Sequence, residues 1–193
     1  MNRITVFCGS NGGFRNEYAE AAKNLARLLV EKNIGLVYGG GSVGLMGIIA
    51  DEVMRRGGFV AGIIPDSLDR REVGHRGISE LRVVGSMHER KAQMAQLADG
   101  FIAMPGGIGT FEEFFEIVTW AQLGFHEKPC GLLNVAGYYD GLLSLCDHAV
   151  AEGFLRPVHR ELILSDADAA RLLEKMENFR PQPVEKWIDK SDL

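Results

Sequence analysis

The run Pro105-Gly106-Gly107-Ile108-Gly109-Thr110, followed by Phe111, Glu112 and Glu113, combines anion-binding backbone with acidic side chains. Glycines let backbone N–H groups approach an anion with no Cβ in the way. A helix opening near Thr110 presents free N–H groups and a positive dipole end, and the Thr110 hydroxyl adds a donor. The segment therefore reads as a phosphate cradle. Glu112 and Glu113 fall in the first helical turn, where carboxylates are favoured in any case. Glu113 has two readings at this point: the acid of a site, or the partner of Thr110 in a capping box. The pair Arg90-Lys91 supplies the opposite charge. It interrupts an apolar stripe of Met87, Met94, Ala95, Leu97 and Ala98 on a helix over residues 86–98. Cations inside a buried stripe need an anionic partner, unless their stems snorkel to water. Two acids and two cations beside a phosphate cradle suit chemistry on a phosphorylated sugar.

The elements that position these residues follow from short apolar runs alternating with helical periodicity. Strands are expected at residues 4–7, 34–38, 59–64, 81–84, 101–104, 130–133 and 162–164. Helices are expected after Asn16, from about Val43 to Arg55, from Ser86 with Glu89 as a capping box, from Thr110, over 138–152, and after a cap at Asp166. Residues 66–80 read as a long polar loop. This alternation predicts an α/β fold, a doubly wound, Rossmann-like parallel sheet with helices on both faces. Residues 1–180 form one expected nucleotide-monophosphate-binding domain, with 181–193 as a tail. Three glycine-rich loops follow three strands, so they should meet outside the carboxyl ends of the sheet. One of them, Gly39-x-Gly41-x-x-Gly44, has the spacing of a dinucleotide fingerprint. It follows the second strand, and Pro65 separates the next strand from Asp66, so a tight strand-to-helix turn is the favoured reading.

A net charge of −5 argues against a general nucleic-acid binder. The three cysteines, Cys8, Cys130 and Cys146, sit in apolar segments with no zinc spacing and read as reduced thiols. Neither a signal-peptide core nor a membrane-length apolar run is visible, so a cytoplasmic location is expected. The five histidines show no ligand spacing, and neither metal nor cofactor is called for.

Ser86-Met-His-Glu-Arg-Lys91 followed by Pro105-Gly-Gly-Ile-Gly-Thr-Phe-Glu-Glu113 resembles the paired motifs of the LOG (Lonely Guy) family. The resemblance extends to Phe7-Cys-Gly-Ser10, Gly39 to Gly47 and Thr119 to Gly124, and so covers nearly the whole chain. Members of that family are cytokinin riboside 5′-monophosphate phosphoribohydrolases, many once labelled lysine decarboxylases. The resemblance implies Arg90 and Glu113 as the catalytic pair. It implies nucleotide contacts for Lys91, Gly107, Ile108, Gly109, Thr110, Phe111, Glu112 and Thr119, with Glu72 aligned to a further contact in the long loop. It also implies a homodimer with sites near the interface. Ile108 departs from the Tyr common in plant members, a change with little consequence for a backbone cradle.

The expected reaction splits a nucleoside 5′-monophosphate of the adenosine type into free base and ribose 5-phosphate. Two other readings stand beside it: a non-catalytic nucleotide or molybdenum-cofactor carrier on a similar fold, and a nicotinamide-binding protein. A pyridoxal-phosphate decarboxylase needs a Schiff-base lysine, and the sequence marks none. One geometric tension is visible. Glu112, Glu116 and Thr119 share a helix face, while Glu113 lies about 100° around it; Glu112 or Glu116 therefore compete with Glu113 for the acid's role.

Overall fold

The computed structural model describes residues 1–72 and 74–181, with the side chains of residues 71 and 72 left undescribed. The tail expected at 181–193 lies, from residue 182 onward, outside the described residues. The strands are β1 (Arg3–Phe7), β2 (Gly35–Tyr38), β3 (Val60–Pro65), β4 (Glu80–Val84), β5 (Gly100–Ala103), β6 (Cys130–Leu133) and β7 (Ile163–Asp166). The helices are α1 (Asn16–Glu31), α2 (Gly44–Arg55), α3 (Asp66–Glu72), α4 (Met87–Leu97), α5 (Ile108–Gln122), α6 (Asp140–Ala151), α7 (Pro157–Arg160) and α8 (Ala169–Asn178).

The strands form one seven-stranded sheet in the order β4-β3-β2-β1-β5-β6-β7. Every named strand pair is parallel, as the unbroken apolar runs predict. Successive strand residues feed opposite faces. Ile4, Val6, Leu36, Tyr38, Ile102 and Met104 pack with α1, α2 and α8 on one side. Phe7, Val37, Ala61, Ile63, Phe101 and Ala103 pack with α4, α5 and α6 on the other. The chain runs outward from β1 to β4, then returns through α4 to β5 beside β1. Such a switch point leaves a crevice at the carboxyl ends of β1 and β5. Among the described residues, no helix is long and apolar enough to cross a membrane.

Four local expectations are corrected. Residues 66–72, read as loop, form α3; its helical signal is the Asp66–Arg70 ion pair one turn apart rather than apolar periodicity. Asn16 is the first residue of α1, behind Arg15 as the cap, and Asp168 rather than Asp166 caps α8, accepting from the Arg171 N–H at 2.9 Å. The start of α5 is Ile108 with Gly107 as its cap, so Thr110 lies inside the first turn and no capping box forms with Glu113. By contrast, the Ser86 cap holds: its Oγ accepts from the Glu89 N–H at 3.1 Å, while Glu89 reaches back to the Gly85 N–H at 2.9 Å.

Candidate active site

The three glycine loops meet as expected. The Gly9 N–H donates to the Pro105 carbonyl at 3.0 Å, and the Leu45 N–H donates to the Gly9 carbonyl at 3.0 Å. Gly44, at φ +60°, abuts the Ser10 backbone so closely that a Cβ would overlap it. The last glycine of the fingerprint-like run is thus taken up by packing between loops, which fits the tight-turn reading.

Arg90 enters this crevice from α4 and is 8% exposed. Its Nη1 stands 3.5 Å from Glu113 Oε1. Its Nε donates to the Ile63 carbonyl at 3.2 Å and its Nη2 to the Gly39 carbonyl at 3.4 Å. One acid and two strand-end carbonyls therefore meet the need of a buried guanidinium for acceptors. Gly39 leaves the space that Arg90 Nη2 occupies, because a Cβ there would push the guanidinium aside.

Glu113 faces inward from α5. Burial lifts its carboxyl above the ordinary glutamate value; the Arg90 charge opposes that lift, and Glu112 adds to it. The net result is an acid whose charged form is poorly solvated and held mainly by one cation. The thiol of Cys8 lies close enough to respond to it: burial, then the Glu113 charge, push that thiol well above its usual range. Cys8 therefore sits at this crevice as a neutral group.

Lys91 points to a different pair of acids. Its Nζ bonds Glu112 at 2.5 Å and Glu116 at 3.0 Å. Burial alone would lower its pKa, but these two carboxylates win and hold it above the ordinary lysine value. Both cations of the α4 stripe have thus found acids, in separate pairs. The side chain of Glu112 is 52% exposed and that of Glu116 is 25% exposed, against 11% for Glu113. The 100° offset along α5 therefore sends Glu113 toward the sheet and the other two outward.

The cradle lies beside this pair. Gly107, Ile108 and Gly109 are exposed, and a Cβ at Gly107 or Gly109 would meet nothing within 4 Å. The first N–H groups of α5 have no acceptor within the helix and face this open space with the positive dipole end. Thr110 is buried beneath the loop, where a Cβ at Gly106 would overlap its hydroxyl. The Phe111 ring turns away and packs on Tyr138 and Tyr139, with centroids 6.5 and 6.3 Å apart. Thr119 is exposed on α5. Nine residues past Thr110, it lies about 13 Å farther along the helix axis, so one chain does not bring it to the cradle. Glu72 closes α3, and its side chain lies outside the described residues.

Two features escaped the sequence reading. Gly39 makes room for Arg90, and the consecutive Tyr138 and Tyr139 approach the cradle from the loop after β6. The only signal for the latter was a tyrosine pair behind Ala136-Gly137 at a strand end.

A family model described as "Possible lysine decarboxylase" matches residues 46–176. The cytokinin riboside 5′-monophosphate phosphoribohydrolase LOG3 of Arabidopsis thaliana is 53% identical over 94% of this chain and 84% of its own length. The corresponding LOG2 protein of Arabidopsis thaliana is 54% identical over 94% of this chain and 85% of its own. The chain belongs to the LOG family. Its two LOG motifs occupy the first turns of α4 and α5, which brings their cations and acids face to face. Among solved structures, the molybdenum cofactor carrier protein of Chlamydomonas reinhardtii superposes with a TM-score of 0.68 at 19% identity, covering 91% of this chain and 95% of that one. The molybdenum cofactor binding protein of Rippkaea orientalis gives 0.67 at 20%, covering 91% and 94%. At that identity the likeness establishes the Rossmann-like fold that this LOG chain shares with them.

Proposed function

We propose that the chain hydrolyses the N-glycosidic bond of cytokinin riboside 5′-monophosphates and related adenosine 5′-monophosphates, giving free base and ribose 5-phosphate. The observation that carries this reading is a buried Arg90–Glu113 pair beside an open helix N-terminus, in a chain more than half identical to enzymes bearing that name. The 5′-phosphate binds the N–H groups of residues 107–110. That fixes the sugar and places its reacting carbon toward Glu113. As the C1′–N9 bond breaks, its electron pair leaves with the base and positive charge builds on the ribose. Ionised Glu113 stabilises that charge and takes a proton from the attacking water, whose oxygen bonds to C1′. The departing base takes up one proton from solvent and Glu113 returns the proton it accepted, so one water is consumed overall. Arg90 orients Glu113 and keeps enough of it ionised. The phosphate contacts act far from the broken bond, so they favour monophosphates over nucleosides through remote binding energy.

A homodimer belongs to this reading. Thr119 lies too far along α5 to reach the cradle of its own chain, and the exposed Leu123 and Phe125 continue the same end of the helix. Thr119 of the partner subunit would meet the nucleotide across an interface built there. A pyridoxal-phosphate decarboxylase fits poorly: Schiff-base chemistry needs a neutral amine, and Glu112 and Glu116 hold Lys91 as an ammonium.

The test is incubation with N6-isopentenyladenosine 5′-monophosphate. Equimolar free base and ribose 5-phosphate are expected. Release of inorganic phosphate with the glycosidic bond intact would overturn the assignment.

A further inference from the structure

We propose that Tyr138 and Tyr139 are positioning residues that clamp the phosphate cradle from behind, their hydroxyls fixing the carbonyls of Gly106 and Met104 so that the loop's N–H groups stay turned toward the ligand. The proposal rests on the reading of residues 107–110 as the 5′-phosphate site. Because β6 pairs with β5, the loop after β6 lies beside the loop after β5. From there the Tyr139 hydroxyl donates to the Met104 carbonyl at 2.6 Å, and the Tyr138 hydroxyl donates to the Gly106 carbonyl. The carbonyl between them, Pro105, accepts the Gly9 N–H at 3.0 Å. Three consecutive carbonyls are thus anchored, and none is free to swing toward an anion.

The geometry of the peptide unit makes this consequential. A C=O and the following N–H share one rigid trans plane and point in opposite directions. Fixing the Gly106 carbonyl therefore aims the Gly107 N–H, and fixing the Pro105 carbonyl aims the Gly106 N–H. Without such anchors, two adjacent glycines sample many backbone states, each a loss of preorganised donors.

The loop that carries the tyrosines is itself held firmly. Ala136, at φ 52°, adopts a left-handed conformation that a residue with a Cβ disfavours, and Gly137 follows at φ 72°. Asn134 Oδ1 accepts the Tyr139 N–H at 2.6 Å, and its Nδ2 donates to Asp140 at 2.7 Å. The two rings stack edge-on at 5.0 Å, and Tyr18 braces Tyr138 at 5.9 Å. Tyr139 is 1% exposed and Tyr138 is 38% exposed, so the outer hydroxyl can be removed without opening the core.

Tyr138→Phe keeps the ring and its stacking and deletes only the clamp. The expected result is a KM for AMP and an inhibition constant for ribose 5-phosphate both raised about tenfold, the scale of one lost hydrogen bond. The kcat should stay within about threefold, and the inhibition constant for free adenine and the thermal midpoint should not move. Tyr139→Phe should weaken ribose 5-phosphate in the same sense. Unchanged ribose 5-phosphate affinity in a folded Tyr138→Phe variant overturns the proposal, as does an equal loss of affinity for adenine, which marks a general structural role. Failure of the unmodified protein to bind ribose 5-phosphate or to cleave AMP would instead remove the underlying reading of the cradle, and the clamp with it.

Discussion

Glu113→Gln is expected to lower kcat for adenine release from AMP by about a thousandfold, equivalent to roughly 4 kcal/mol of transition-state stabilisation. The amide keeps the shape of the carboxylate but can neither carry the negative charge opposite the developing sugar cation nor accept the proton of water. The KM should change little, because the proposed phosphate anchor is the backbone of residues 107–110 and not Glu113. The thermal midpoint should stay within a few degrees of the parent. The amide removes the cost of burying the carboxylate charge, and although Arg90 loses its anion it keeps the Ile63 and Gly39 carbonyls as acceptors. Steady-state kinetics with AMP, run beside thermal unfolding, check both halves. Retained activity sinks the assignment of Glu113.

Arg90→Ala carries the second large effect, and its signature is pH. In the parent protein, activity should fall on the acid side through a pKa above the ordinary glutamate value, because the proposed mechanism needs Glu113 ionised. Arg90 is the main charge opposing that upward shift. Its removal should push the acid limb of the kcat/KM profile farther toward neutral, on top of a loss of about a hundredfold at the plateau. Stability follows the same group. A carboxyl whose folded pKa is raised contributes stability below its unfolded pKa and loses it as pH rises through the folded one. The variant should therefore be less stable than the parent even near pH 4, because the Ile63 and Gly39 carbonyls lose their donor, and its deficit should widen by about 3 kcal/mol by neutral pH, where an unpaired buried carboxylate remains. Thermal melts across this range check the sign. A deficit that grows on acidification would show that Glu113 is not the group involved.

Much of this arrangement is legible in the sequence because it rests on short-range regularities. The buried strands read as apolar runs, and the order of strands and helices predicts a parallel sheet whose glycine loops share one edge. Arg90 and Lys91 stand out because cations do not belong in an apolar stripe, and both pair with acids of α5. The remainder depends on which elements become neighbours. Nothing local distinguishes Glu113 from Glu112; the distinction appears only when α4 sets Arg90 on one side and Lys91 on the other. The expected capping box at Thr110 fails because α5 starts earlier, at Ile108, once the glycine loop closes against Gly9. The short helix α3 was hidden because its helical signal is electrostatic. Tyr138 and Tyr139 gave no chemical signal, since their targets are backbone carbonyls more than thirty residues away.

Glycosidic cleavage at Glu113 and substrate selection at residues 107–110, as proposed, are tested together by one paired measurement. Purified protein is incubated separately with AMP and with adenosine, and adenine and ribose 5-phosphate are quantified. The expected result is equimolar adenine and ribose 5-phosphate from AMP, with cleavage of adenosine slower by about a hundredfold or more. Tight binding of AMP with no adenine released would contradict the account and identify a carrier, and equal cleavage of both substrates would contradict the role given to residues 107–110.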